Sequence, residues 1–296
     1  MAKVKRIRED RGINFIFNVI LTIIAIISLY PIWFVIIASI SDPAAIMAGE
    51  VFLIPKQITF SAYEALLDYQ EVLLGYRNSL LYMVGGTLVA LIGTLPAAYA
   101  LSRRELKGRR FLNFLVVISM YFSGGMIPTY LLNRSIGWIN TIWVMLIPVV
   151  FNAYYIILAR SSFESMPEEL HESAVVEGAS EFRYFFSIVL PLSKAMIAVI
   201  VLFSALSWWN EYMRFVIYID NPEIQSLQVF LRQITQSLTA SLTDSGVSFE
   251  QFLEAQKTQS LLKYSIVVIT ALPFCILYPF VQKYFNRGVM IGAVKG

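Results

Sequence analysis

Cysteine and histidine are nearly absent from this sequence, which holds one of each in 296 residues. The lone Cys275 excludes an intrachain disulfide and any metal site built from several cysteines. The lone His171, with no cluster of acidic or histidine residues inside the apolar runs, leaves little for metal-dependent or nucleophilic chemistry. We therefore predict no catalytic residue and no metal ligand.

A phosphate-binding loop is also missing, because the pattern G-x-x-x-x-G-K-[S/T] occurs nowhere in the chain. A protein without this loop is not its own P-loop ATPase. We predict that the chain is not an enzyme and that it binds no cofactor itself.

Charged residues are also scarce. Charged residues make up 15% of the chain and hydrophobic residues 57%, with a mean hydropathy of +0.66, whereas soluble domains carry about 25% charged residues. This composition predicts an all-α polytopic membrane protein, a single transmembrane domain over residues 1–296. Since a crossing needs about 20 apolar residues, six runs qualify. They are Ile13–Ile40, Ser79–Leu101, Phe111–Leu132, Ile139–Leu158, Ala195–Tyr218 and Leu261–Phe285.

Basic residues predict the orientation, because loops rich in Lys and Arg remain in the cytoplasm. One basic group precedes the first run and another fills the short loop between the second and third runs. These residues are Lys3, Lys5, Arg6, Arg8 and Arg11, then Arg103, Arg104, Lys107, Arg109 and Arg110. With six crossings, both termini and the polar segment 160–193 are expected in the cytoplasm.

Two outer segments are long, about 38 and about 42 residues, and loops of such length are usually functional or disordered. Each is either a solvated loop or a docking surface for an external partner. Several crossings are interrupted, by "SGGMIP" (Ser123–Pro128) and by Pro148, Pro273 and Pro279. Such breaks are tolerated where they line a cavity, although Gly and Pro are common in membrane helices in any case.

The segment "HESAVVEGASEFRYFFSIVLP" (His171–Pro191) and the residues just before it contain signals for the starts and ends of helices. Ser165 and Glu168 have the spacing of a capping box, so a helix is predicted from Met166 to Glu177. Gly178 is predicted to end it, and Ser180 to cap a second helix.

The second helix has an apolar face at the spacing i, i+3, i+4, i+7, formed by Phe182, Phe185, Phe186 and Val189. This face can pack on the protein's own helices, lie on lipid or enter a partner's groove. The single Arg183 among several glutamates disfavours the lipid surface, since interfacial helices are rich in Lys and Arg.

The same segment resembles the EAA loop of ABC-importer permeases. That loop has the pattern E-A-A, three residues, G, nine residues, I, one residue, L-P. Here the matching residues are Glu172, Ser173, Ala174, Gly178, Ile188, Leu190 and Pro191, with Ser173 in place of the middle alanine. Because a small residue replaces a small one, the departure puts little in doubt.

The resemblance extends to "GMIPTYLLNRSIGWINT" (Gly125–Thr141) and "RGVMIGAVKG" (Arg287–Gly296). Both are similar to carbohydrate-uptake permeases of the maltose-importer type, and more closely to the smaller, six-helix subunit and to complex-oligosaccharide importers of Gram-positive bacteria. The resemblance implies a type I importer fold in the plasma membrane. It also implies a second homologous permease, two ATPase subunits that use ATP and Mg²⁺, an extracellular solute-binding lipoprotein and contact with membrane lipid. No nucleic acid partner is expected.

For the EAA-like residues the resemblance implies mechanical coupling to the ATPase. The coupling residues would be Glu172, Ser173, Ala174, Glu177, Gly178, Ile188, Leu190 and Pro191. Phe182, Phe185 and Phe186 would fix the second helix against the permease. The tail, Gly292, Ala293, Val294, Lys295 and Gly296, would reach the ATPase, or is simply a solvated end.

A substrate path is predicted at "SWWNEYMRF", because aromatic faces stack on sugars and polar side chains bond hydroxyls. Its residues are Trp208, Trp209, Asn210, Glu211 and Tyr212. The alternative is an interfacial aromatic belt with Glu211 and Arg214 as an i, i+3 ion pair. The predicted function is carbohydrate import. A permease for peptides or amino acids and a stand-alone secondary transporter remain the alternatives.

Overall fold

Helices form all the regular structure in the part of the chain that this computed structural model describes, residues 11–243, 257, 262–279 and 282. The helices are α1 (Arg11–Ser39), α2 (Pro43–Met47), α3 (Ser61–Asp68), α4 (Gln70–Ser102), α5 (Arg109–Tyr121), α6 (Met126–Ser135), α7 (Trp143–Leu146), α8 (Ala153–Glu164), α9 (Glu169–Val176), α10 (Glu181–Tyr184), α11 (Leu190–Leu192), α12 (Lys194–Trp209), α13 (Met213–Tyr218), α14 (Leu227–Thr243) and α15 (Leu262–Pro279). Turns of 3₁₀-helix occupy Ile147–Val149 and Pro222–Ile224, and a turn of π-helix occupies Phe185–Val189.

Four helical segments among the described residues are long and apolar enough to cross a bilayer, and six if each of two bent pairs counts as one crossing. The bent pairs are α5 with α6, at 109°, and the segment Glu181–Leu192 with α12, at 78°. Each of the six predicted runs coincides with one of these segments. The all-α polytopic prediction is therefore confirmed.

Two predicted boundaries are wrong. α4 begins at Gln70 instead of Ser79, and the added turns are only partly buried, through Val72, Gly75 and Asn78. There the amide of Asn78 donates to the carbonyls of Glu223 and Gln225, at 2.8 and 2.9 Å. The fifth run does not continue to Tyr218, since α12 ends at Trp209 and α13 begins at Met213.

The outer segments contain helices that the sequence analysis described only as long loops. α2 and α3 lie in the first, and α14 lies in the second. The predicted interruptions are confirmed at two places. Gly125, with φ +81°, separates α5 from α6, and Pro148 lies in a 3₁₀ turn between α7 and α8.

The described residues form two compact units, drawn from Met1–Asp68 with Ile234–Leu272 and from Tyr69–Gln233 with Pro273–Gly296. In the first unit, the hydroxyl of Tyr63 donates to Ser39 Oγ at 2.7 Å. That the two units make up one transmembrane domain stays a prediction.

α4 is the central helix of the second unit and packs against α8 and α12. Small residues on α4 allow a close approach to the segment that precedes α8, since a methyl group added to Gly93 would lie 2.1 Å from the carbonyl oxygen of Val150. The buried core of this unit gathers side chains from α4, α8, α9, α10 and the π turn, including Leu95, Ala98, Ile156, Ala159, Ala174, Tyr184, Phe185 and Val189. The segment 169–192 is thus attached to the same core as the long helices.

Candidate functional site

The helix α9 lies in the polar segment between α8 and α12. Its predicted start at a Ser165 capping box is wrong, because Ser165 caps the C-terminus of α8 and its hydroxyl donates to the carbonyl of Ser162 at 2.7 Å. Glu168 precedes the first turn, and Glu169 and Glu172 lie within it, where negative charge is favoured by the helix dipole. α9 is therefore shorter than the sequence analysis predicted.

Gly178 ends α9, as predicted. Its φ is +78°, in the left-handed region. Its N–H donates to the carbonyl of Val175, and the N–H of Ala179 donates to the carbonyl of Ala174, both at 2.9 Å. A methyl group added to Gly178 would meet nothing within 4 Å, so the backbone conformation, and not space, favours glycine. Ser180 then caps α10 by accepting from the N–H of Arg183 at 3.3 Å.

The residues of the EAA-like pattern divide into an outward and an inward set. Glu172, Ser173 and Glu177 are exposed, and within the described residues neither glutamate forms an ion pair. Ala174 is buried in the core of the second unit, where Ile188 and Leu190 pack as well. A small residue fits at Ala174 because this side chain faces the protein core. The exposed carboxylates of Glu172 and Glu177 are accessible to another protein surface.

The prediction that three phenylalanines fix the second helix is correct for Phe185 alone. Its ring is buried and lies 4.9 Å from the ring of Tyr99. Phe182 and Phe186 are 78% and 60% exposed. Phe182 precedes the π turn, and Tyr184 is the residue buried beside Phe185. Within the π turn the N–H of Leu190 donates to the carbonyl of Phe185, five residues back, which changes the helical spacing between Phe186 and the buried Val189.

A cluster of four polar side chains, not anticipated from the sequence, joins α4 to α9 and α10. Arg103 Nη2 lies 2.8 Å from Nδ1 of His171, and Nε2 of His171 lies 2.8 Å from Oε1 of Glu181. The hydroxyl of Tyr99 donates to Oε2 of Glu181 at 2.5 Å. Arg103 Nη2 also lies 2.9 Å from Nε2 of His171, so the guanidinium contacts both ring nitrogens. Tyr99, Arg103 and His171 line a cavity of about 70 Å³.

The electrostatics of the cluster favour an ionised Glu181. Partial burial raises the pKa of this carboxyl, but hydrogen bonds from Tyr99 and His171 and the charge of Arg103 outweigh burial, so that its pKa lies below the ordinary value. In the sequence, Arg103 indicates only the cytoplasmic side of the loop between the second and third runs. The spacing between Arg103, His171 and Glu181 carries no local pattern that could have revealed their contact.

The two tryptophans of the predicted substrate path are buried in this structure. Trp208 and Trp209 are 5% and 1% exposed. Trp208 stacks on Tyr82, with ring centroids 6.0 Å apart, and Trp209 meets Tyr76 edge-on at 5.3 Å. As the structure stands, both indoles are packing residues and neither offers a face to a sugar.

The three residues that follow lie where the fifth crossing is interrupted, between α12 and α13. Asn210 is exposed, whereas Glu211 and Tyr212 are half-buried. Glu211 does not form the i, i+3 side-chain pair, because its Oε1 accepts from the backbone N–H of Arg214 at 3.2 Å. The guanidinium of Arg214 donates instead to the carbonyls of Val144 and Met145, at 3.1 and 2.8 Å. The tail residues Gly292, Ala293, Val294, Lys295 and Gly296 lie outside the described residues.

Known proteins resemble the chain in sequence and in structure. Residues 72–291 match the family described as binding-protein-dependent transport system inner membrane component. Protein LplC of Bacillus subtilis is 38% identical, over 91% of this chain and 90% of its own. The polygalacturonan/rhamnogalacturonan transport system permease protein YtcP of the same organism is 36% identical, over 93% of this chain and 96% of its own.

A solved structure shares the fold. It is the crystal structure of a bacterial ABC transporter involved in the import of the acidic polysaccharide alginate. One of its chains superposes with a TM-score of 0.80 and 35% identity, covering 94% of this chain and 98% of the other. With an EAA-like loop on a matching helical fold, the chain belongs to the family of binding-protein-dependent transport system inner membrane components.

Proposed function

We propose that this protein is the permease subunit of an ATP-driven importer for carbohydrate, specifically an oligosaccharide. Two relatives support the substrate class, since one is named for polygalacturonan and rhamnogalacturonan transport and the solved neighbour serves alginate import. The chain itself binds no cofactor in this proposal. ATP and Mg²⁺ are used by two partner ATPase subunits, and a homologous permease and an extracellular binding protein complete the assembly.

The observation that carries the coupling role is the arrangement of α9. Its exposed carboxylates Glu172 and Glu177 point away from a core to which Ala174, Ile188 and Leu190 are fixed. A short helix held in this way can enter a cleft of an ATPase subunit and pass its movement to the membrane helices as a rigid-body displacement. This role requires α9 and both chain termini to be cytoplasmic, in accord with the basic residues at Arg103–Arg110.

The substrate path is proposed for Asn210, Glu211 and Tyr212, which lie at the break between α12 and α13. Polar groups at a helix break can bond hydroxyls of a passing sugar. The tail Gly292–Gly296 is proposed to contact the ATPase. The plasma membrane of a Gram-positive bacterium is the proposed location, consistent with the Bacillus relatives.

The proposal is tested by reconstituting the purified complex in liposomes with its binding protein. Uptake is measured with a mixture of radiolabelled uronic-acid and neutral-sugar oligosaccharides, and in parallel with labelled peptides. We expect ATP-dependent uptake of oligosaccharide and none of peptide. Glu172→Lys should abolish uptake while the permease remains inserted. Uptake of peptide alone would overturn the carbohydrate assignment, and uptake without ATPase subunits would indicate a secondary transporter.

A further inference from the structure

The four-residue cluster has a structural task that apolar packing does not perform. α9 has eight residues and buries one of them, Ala174. A short helix held at one point can tilt and turn about that point. The cluster of Tyr99, Arg103, His171 and Glu181, here named the strut, supplies a second point of attachment.

The strut is a continuous chain of polar contacts from the end of α4 to both helices of the loop. Arg103 directly follows the last residue of α4, and Tyr99 lies one turn earlier. His171 belongs to α9 and Glu181 begins α10. The His171 side chain is 16% exposed, and its ring meets the buried Tyr184 edge-on at 4.9 Å. The Arg103 side chain is 21% exposed, so the Arg103–His171 contact is a charge-assisted bond in a partly buried position, among the stronger hydrogen bonds in proteins, whereas the Glu181 side chain is 57% exposed.

The strut ends on an element suited to carry movement across the membrane. α4 runs unbroken from Gln70 to Ser102, and packs along α8 and α12. A displacement of Arg103 therefore acts on the end of α4, a long helix that packs against α8 and α12.

We propose that the strut transmits the movement of α9 into α4, with His171 as the residue that links the two. Tyr99, Arg103, His171 and Glu181 are then positioning residues for the coupling of ATP hydrolysis to transport. The inference rests on the proposed function in one respect, that α9 is the helix on which the ATPase acts. None of the four side chains needs to touch solute or nucleotide.

A neighbouring ion pair provides a matched control. Arg104 and Glu168 also connect the end of α4 to the beginning of the loop, with 3.5 Å between Nη1 and Oε2. Their side chains are 79% and 51% exposed, and an ion pair so open to water contributes little to stability. Arg104→Ala thus removes a charge from the same place without interrupting the strut.

The first test measures oligosaccharide taken up per ATP hydrolysed, in liposomes holding the complete transporter and with the mixture of labelled oligosaccharides. Loss of a hydrogen bond to a charged group changes an equilibrium by about tenfold or more. We expect His171→Ala to lower the ratio by about this factor while the ATPase subunits still copurify. His171→Gln, which keeps a donor and an acceptor, should restore most of the ratio, and Arg104→Ala should leave it unchanged. A wild-type ratio in His171→Ala, or a Gln variant no better than the Ala variant, would overturn the proposal.

The second test does not depend on transport. Spin labels at Ala100→Cys on α4 and Val176→Cys on α9, in a Cys275→Ala background, report the distance between the two helices in the purified complex. The distribution should be narrow with His171 or His171→Gln and broad with His171→Ala. A distribution that His171→Ala leaves unchanged contradicts the strut. If the wild-type complex shows no ATP-driven uptake, the proposed function fails, and this distance measurement still decides whether the strut orients α9.

Discussion

Gly86 on α4 lies so close to Trp208 on α12 that a methyl group in place of its hydrogen would stand 2.0 Å from Cε2 of the indole. The indole has little freedom to retreat. It is stacked on Tyr82, and the guanidinium of Arg214 lies over it, 5.5 Å from the ring centroid. The contact fixes the separation of the two helices at this level.

We expect Gly86→Ala to lower the free energy of unfolding by about 1 to 3 kcal/mol, because overpacking forces side chains and backbone to shift. Gly85→Ala is the matched control, since a methyl group there meets nothing within 4 Å. It should be neutral or raise stability by up to about 1 kcal/mol, as alanine is the better helix former. The thermal unfolding midpoint should therefore fall in purified Gly86→Ala and stay unchanged or rise in purified Gly85→Ala. Equal shifts would contradict the close packing.

Gly178→Val should uncouple ATP hydrolysis from uptake. The left-handed backbone of Gly178, φ +78°, is disfavoured for valine by roughly 1 to 2 kcal/mol, so the turn that presents α9 is lost. Gly178→Asn should retain most of the coupling, because asparagine tolerates this conformation. The measurement is oligosaccharide taken up per ATP hydrolysed.

The control for Gly178 is Gly49, which also has a positive φ, +72°, and open space around it. Gly49→Val carries the same backbone strain outside the loop. It should lower the thermal midpoint yet leave the uptake per ATP at the wild-type value. If both valine variants uncouple equally, general destabilisation and not the loop explains the effect.

Asn140 should be sensitive to substitution by alanine, because it has φ +64° and its Oδ1 accepts from the N–H groups of Asp220 and Asn221, at 2.9 and 2.8 Å. Asn140→Ala loses both bonds and adds backbone strain, about 2 to 4 kcal/mol together. Asn140→Gly loses the bonds alone, so its midpoint should lie between those of wild type and Asn140→Ala. Asn140→Asp keeps the acceptor and should stay closest to wild type, and an alanine variant as stable as the glycine variant would refute the strain.

Glu181 predicts a pH dependence of stability whose sign follows from its lowered pKa. A carboxyl whose pKa is lower in the folded than in the unfolded protein stabilises the fold above its ordinary pKa of 4.5, and this contribution is lost as the pH falls through the folded value. Glu181→Gln should therefore unfold at a lower temperature than wild type at pH 6 to 7. The difference should shrink as the pH falls below 4.5 and through the lower folded value. A difference independent of pH would show that the charge of Glu181 is not involved.

The sequence predicted those features that local pattern controls. The six apolar runs, the glycine at position 178 and the cap at Ser180 each depend on a few neighbouring residues, and each is found in the structure, two of the runs with different ends. Ser165 failed as a cap because the preceding helix already used it, which only the length of α8 determines.

The features that were missed depend on distant parts of the chain. Trp208 has the composition of a sugar-binding face, yet its burial is decided by Tyr82 and Gly86, more than 100 residues earlier. Arg103 and His171 are likewise far apart in sequence, and no periodicity within either segment encodes their meeting. Burial of an aromatic side chain is a property of the partner surface as much as of its own residue type.

The π turn at Phe185–Val189 lies within the fixed spacing of the EAA-like pattern. A turn that bonds five residues back holds one residue more than a regular α-helical turn, and each residue of a helix corresponds to about 100° of rotation about its axis, at 3.6 residues per turn. The spacing of nine residues between Gly178 and Ile188 passes through this turn. A chain with one residue fewer there would direct α9 toward a different side of the molecule, so the number of residues in the turn sets the direction in which the loop faces.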